Sequence, residues 1–154
     1  MENNDILKRM RYILDYDDDK MMKLFSLAGK EVTRAELSSW MKKEDDEDYL
    51  PLRDINLAYF LNGLIIKKRG QREGPLPKAE KSLTNNMIFR KLKIAYSFID
   101  VDILKIFKLV DFNISKHELS AIFRKPGQSQ YRACKDQFLR NFLMGLQLKI
   151  RPRE

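Results

Sequence analysis

The chain has 154 residues, 44 % hydrophobic and 34 % charged, with a net charge of +8. That composition describes a folded globular protein and excludes a disordered one. No apolar run approaches the roughly 20 residues of a membrane span, and one cysteine excludes an internal disulfide or a cysteine zinc cluster. The N-terminal residues Met1–Met10 mix Asn, Asp, Lys and Arg, which is not a signal peptide, so a reducing cytoplasm is expected.

In chain order, the first predicted helix follows Asn3-Asn4, with Ile6, Met10, Ile13 and Leu14 at i, i+4, i+7, i+8 spacing. The asparagines are expected to cap it, because an Asn side-chain oxygen accepts from a first-turn amide. A short second helix starts near Asp18, with Met21, Leu24, Phe25 and Ala28 as its apolar face. The third has the strongest start signal, the capping box Thr33-Arg34-Ala35-Glu36 inside a staple of Val32 and Leu37. The fourth runs from about Asp54 to Arg69, with Leu57, Phe60, Leu61 and Leu64 as its stripe. Residues 71–83, with Pro75 and Pro77, have the composition of a linker.

The same four elements then recur. Shifted by 82 positions without a gap, about twenty of sixty-seven residues coincide, most densely where Leu57, Phe60, Leu61, Gly63 and Leu64 meet Leu139, Phe142, Leu143, Gly145 and Leu146. Asn85-Asn86, Asp100 and the capping box Ser115-Lys116-His117-Glu118 repeat their counterparts. No segment alternates with period two between hairpin turns. The fold expected is all-α: two tandem four-helix repeats, 1–70 and 84–154, packed face to face as a pseudo-symmetric helical domain.

Candidate chemistry is sparse. Trp40 aligns with Ile122 and reads as core. Gly63 and Gly145, inside helices, read as close helix contacts. The acidic run Glu44–Asp48 faces Pro126–Gln130 in the second copy and reads as a solvated loop, since a cation needs converging ligands. Asp15, Asp17 and Asp19 lack the Gly and Glu of a calcium loop, having Lys20 and Ser26 there. A Cys134–His117 pair aligns with Leu52 and Ala35, and neither a base nor an orienting group accompanies it. Two short helices over Met21–Met41 give only a weak helix-turn-helix signal. No metal, cofactor or enzymatic activity is expected.

Charge is the remaining signal. Residues 1–70 carry 13 Lys and Arg against 14 Asp and Glu, and residues 71–154 carry 17 against 8. The cations Arg90, Lys91, Lys93, Arg124, Lys125, Lys135, Arg140, Lys149 and Arg151, with Arg153 beyond, are the candidate phosphate contacts for RNA or DNA. The alternative is a protein–protein adaptor or a homo-oligomer, with the acidic loop of one repeat meeting the basic helices of the other.

Four stretches also carry a resemblance: Asn4-Asp5-Ile6-Leu7, Trp40-Met41-Lys42-Lys43-Glu44-Asp45, Phe60-Leu61-Asn62-Gly63-Leu64-Ile65, and Cys134-Lys135-Asp136-Gln137-Phe138-Leu139-Arg140. Together they resemble the YehS-like family, which implies a small bacterial cytoplasmic protein with a duplicated domain of unknown function. The resemblance implies no reaction, ligand or catalytic residue.

Overall fold

A computed structural model describes residues 1–151. It contains eight helices, and no strand among the described residues: α1 (Asn3–Leu14), α2 (Asp18–Leu27), α3 (Arg34–Met41), α4 (Asp54–Arg69), α5 (Asn85–Tyr96), α6 (Asp100–Lys108), α7 (Lys116–Ile122) and α8 (Asp136–Ile150). Contacts divide the chain into two compact units, Met1–Leu83 and Thr84–Glu154. Residues 71–83 go with the first unit, where Ala79 is buried and the Leu83 N–H donates to Asp54 Oδ2 at 2.8 Å.

In the first unit α4 is the central element. Its buried residues Leu57, Ala58, Phe60, Leu61, Gly63, Leu64 and Ile66 lie nearly all round the axis, as expected of a helix with neighbours on several sides. α2 crosses it at Gly63, where a Cβ would fall on the carbonyl oxygen of Leu24. The second unit repeats the crossing: a Cβ at Gly145 would collide with the Ile106 carbonyl and lie 2.7 Å from Ile106 Cγ2. Leu24 and Ile106 are themselves repeat counterparts, so both glycines serve close helix–helix contact. Around the crossings, Phe25 packs on Trp40 and Phe60 at 5.5 and 5.6 Å, and Phe107 on Phe142 at 5.8 Å. Each fully buried aromatic of this kind contributes about 1.5–3 kcal/mol.

The capping boxes of α3 and α7 form as expected, with Thr33 and Ser115 accepting from the Glu36 and Glu118 amides at 3.1 and 3.0 Å. The asparagine caps do not form. The N-caps of α1 and α5 are Glu2 and Thr84, and the asparagines are the first helical residues. Their amides instead reach a segment 36 to 51 residues away. Asn4 Nδ2 donates to the Trp40 and Leu50 carbonyls, both at 3.0 Å, and its Oδ1 accepts from the Leu52 N–H at 2.9 Å. Asn86 does the same with Ile122, Arg132 and Cys134 at 3.0, 2.9 and 2.8 Å. Asn3 and Asn85 bond the Leu52 and Cys134 carbonyls at 3.0 Å and the first-turn carboxylates Asp54 and Asp136 at 2.7 Å. An amide side chain that meets three main-chain groups, buried at Asn4 and half-buried at Asn86, locks the extended entry to the last helix of each unit.

Positive-φ residues also match across the repeat. Asp15 and Ser97 both have φ of 56°, and Gly29 at 93° is replaced by Asp111 at 53°. Asp is among the few side chains that tolerate the left-handed region, so the turn survives the loss of glycine.

Candidate nucleic-acid interface

The structure places the sequence-derived cations in three groups. Arg90 and Lys93 on α5 converge on Phe123, the C-cap of α7: the Arg90 guanidinium donates to the Phe123 carbonyl, and Lys93 Nζ lies 4.2 Å from its ring centre. Arg124 and Lys125 follow directly and are exposed. Cations at a helix C-terminus satisfy orphan carbonyls and the macrodipole. The first unit does the same, with Lys8, the counterpart of Arg90, donating to the Lys42 carbonyl at 2.7 Å. Lys93 also pairs with Asp100 at 3.8 Å, as Arg11 pairs with Asp18 at 2.8 Å. Lys91 is half-buried on α5. Arg90 and Lys93 therefore have a structural role that both copies share.

The second group lies on α8. Arg140 lies on the opposite side of α8 from Lys149, and Arg151 is the residue that caps the helix at its C-terminus. Arg153 lies outside the described residues.

Comparison of the copies separates these positions further. Eight of the nine candidates align with a basic residue in the first unit: Lys8, Arg9, Arg11, Lys42, Lys43, Arg53, Lys67 and Arg69. Arg140 alone does not, standing against Ala58. Two cations outside the candidate set are also particular to the second unit, Lys108 against Ser26 and Arg132 against Leu50.

Lys108 and Arg132 meet the third group, Lys135, at a groove. A cavity of about 380 Å³ between the end of α6 and α7 is lined by Leu104, Lys108, Phe112, Asn113, Ile114, Ser115 and Glu118. A second, of about 270 Å³, shares Phe112, Ile114 and Glu118 and continues past Ile122 to Arg132, Lys135 and Phe138. The lining the two cavities share is Phe112 and Ile114 with Glu118, and Lys108 belongs to one cavity, Arg132 and Lys135 to the other. Phe112 and Phe138 replace Lys30 and Asn56 of the first unit, so the aromatic floor is also a property of this copy. Phe138 packs on Phe107 at 4.7 Å and meets Phe112 edge-on at 6.0 Å and 83°, which fixes both rings from the core side.

Glu118 is the acid among the lining residues. Its Oε1 accepts from the Ser115 N–H at 3.1 Å, a bond that holds its carboxyl below the usual range, and Oε2 lies 3.8 Å from Arg132. The cysteine and histidine of the second unit do not build a nucleophile. Cys134 is buried, its thiol pushed up to about 12 by desolvation, and His117 is exposed in the first turn of α7. Among the described residues no group of three His, Cys, Asp or Glu is arranged to hold a metal ion, and no helix is long and apolar enough to cross a membrane.

Lys108, Phe112, Arg132 and Phe138 were outside the sequence-derived candidates. The signal that marks them is the repeat itself: they are positions where one copy has a cation or ring and the other does not.

Comparison with known proteins agrees with the duplication. The model of a family described as "Protein of unknown function (DUF1456)" matches twice, at residues 3–70 and 85–151. "Uncharacterized protein YehS" of Escherichia coli (strain K12) is 41 % identical over 147 residues, covering 95 % of this chain and 94 % of that protein. No solved structure matches the chain. Two matched segments that between them take in all eight helices, together with that identity, show that the chain belongs to the DUF1456 family.

Proposed function

We propose that this protein is a non-enzymatic binding module of the cytoplasm that associates with nucleic acid through its second repeat. The observation that carries this reading is the placement of Lys108 and Arg132. Among the described residues they are two of the three second-unit cations that align with no basic residue in the first unit, and with Lys135 they line two adjoining cavities. Mobile cations around an apolar cleft suit a phosphate backbone, and such contact needs no base-specific readout.

The test is fluorescence anisotropy with labelled single-stranded RNA and duplex DNA over a range of salt. Micromolar or tighter binding is expected, with log affinity falling against log salt at a slope of about −3 or steeper. Reversal of Lys108, Arg132 and Lys135 to Glu abolishes it, whereas reversal of the exposed first-unit lysines Lys23, Lys43 and Lys67 does not. Equal losses from the two triple variants would refute the assignment to the groove.

A second reading, a protein adaptor or self-associating protein, is favoured by Ile99 and Val101. They are 64 % and 51 % exposed at the start of α6, where the first unit has Asp17 and Asp19. Light scattering over concentration and salt tests it, and a monomeric mass throughout counts against self-association.

A further inference from the structure

We propose that the groove of the second repeat is a base-stacking site, with Phe112 as the platform, so that the protein selects single strands over duplex. This inference rests on the nucleic-acid reading above and narrows it to one class of ligand.

Three observations carry it. The first is position: Phe112 belongs to both cavities of the groove, Lys108 lines one, and Arg132 and Lys135 line the other. A nucleotide with its base on Phe112 therefore has cations on either side for the phosphates that flank it. The second is rigidity. Phe112 packs against Phe107 at 5.4 Å and stands nearly perpendicular to Phe138 at 6.0 Å, yet remains partly exposed. A ring held on its core side and open on the other loses little freedom when a base stacks on it. The third is charge. The lining carries three cations and one acid, and that acid, Glu118, is already engaged by the Ser115 amide and close to Arg132. The rim is thus complementary to a polyanion.

A duplex cannot use this floor. Its bases are stacked within the helix and offer only edges and backbone, so the rim alone would be engaged. An unpaired base presents its whole face, and stacking is tolerant of sequence because every base has one. The ligand class is accordingly single-stranded RNA or DNA without marked sequence preference. The first repeat has Lys30 in place of Phe112 and no equivalent platform.

That same comparison supplies the test. In the full chain, Phe112→Lys installs the first repeat's residue and adds a positive charge. A surface acting by charge alone would then bind every nucleic acid as tightly or more tightly. The stacking site predicts the opposite for single strands: affinity for a labelled single-stranded 12-mer falls roughly fivefold or more, while duplex affinity holds or rises. Phe112→Leu keeps an apolar side chain for packing and is expected to show the same single-strand loss, and Phe112→Tyr is expected to retain binding. Circular dichroism establishes that each variant is folded. If wild type binds both ligands and neither Phe112→Lys nor Phe112→Leu weakens the single strand, the stacking site is refuted and the phosphate reading stands. If wild type binds neither ligand at low salt, the nucleic-acid reading fails and the stacking site with it.

Discussion

The side-chain oxygen of Asn86 accepts the Cys134 N–H at 2.8 Å, and 82 residues earlier Asn4 accepts the Leu52 N–H at 2.9 Å. Each contact spans 48 residues and draws the strand-like entry of the last helix onto the first. Asn4→Ala would leave two carbonyls and an amide without partners in a site only 3 % exposed. The expected cost is about 2–4 kcal/mol in urea unfolding, since unsatisfied buried groups lose their desolvation energy in full. Asn86→Ala is expected to cost less, because that site is half-open to water and solvent can replace part of the set.

The helix crossings make a ranked pair of predictions. Gly63→Ala drives a methyl into the Leu24 carbonyl, and Gly145→Ala meets the Ile106 carbonyl at a somewhat looser approach. Overpacking of this kind costs about 1–3 kcal/mol, and Gly63→Ala should lie at or above the top of that range. Trp40 is the sole tryptophan, so its fluorescence follows the first unit, while far-UV circular dichroism follows the helices of both units together. A smaller effect at Gly63 than at Gly145 would contradict the geometry.

Cys134 makes stability depend on alkaline pH. Its thiol is pushed from 9.0 to about 12 by burial, with Asp136 adding to the shift. Above pH 9 the unfolded chain ionises this thiol and the folded one does not, so the stabilisation is whole below pH 9 and lost as pH rises toward 12. Cys134→Ala should flatten the loss measured by denaturant midpoints between pH 8.5 and 10.5. A thiol reagent at pH 8 should react with the native protein only at the rate of opening.

At acid pH the relevant group is Asp18. A hydrogen bond from Arg11 holds its carboxyl below the ordinary value of 3.8, with Arg34 assisting. A depressed pKa stabilises the fold above the unfolded value, and the benefit disappears as pH falls through the folded one. Asp18→Asn should therefore lower stability slightly at neutral pH, and the difference from wild type should vanish once the pH falls below the depressed pKa of the folded carboxyl. Its exposure keeps the effect small.

The helices were legible because their signals are local. The Thr33 and Ser115 boxes lie within four residues, and the stripe of Leu57, Phe60 and Leu61 follows a helical turn. The asparagines were misread for the complementary reason. Asn3 and Asn4 look like caps in their own neighbourhood, while the partners that claim them stand 36 to 51 residues downstream. Charge misdirects differently. The imbalance between the halves owes more to lost acids, 14 against 8, than to gained bases, 13 against 17. Lys and Arg counted by halves thus include Arg90 and Lys93, whose repeat counterparts do the same structural work. The groove needed two further facts, the turn that brings Phe112 beside Phe138 and the line-by-line difference between copies.

The asparagine clamp has a consequence for how such a duplicated chain diversifies. Asn4 and Asn86 hold their distant segments by peptide carbonyls and amides, never by side chains. At one of these positions the side chain faces outward: Leu50 lies 51 % exposed in one copy, and its place is taken by Arg132 at the groove in the other. A segment whose path is set by its own main chain works like a typesetter's frame, in which single characters can be exchanged while the line keeps its position. One copy can then hold the shape while the other tries out chemistry.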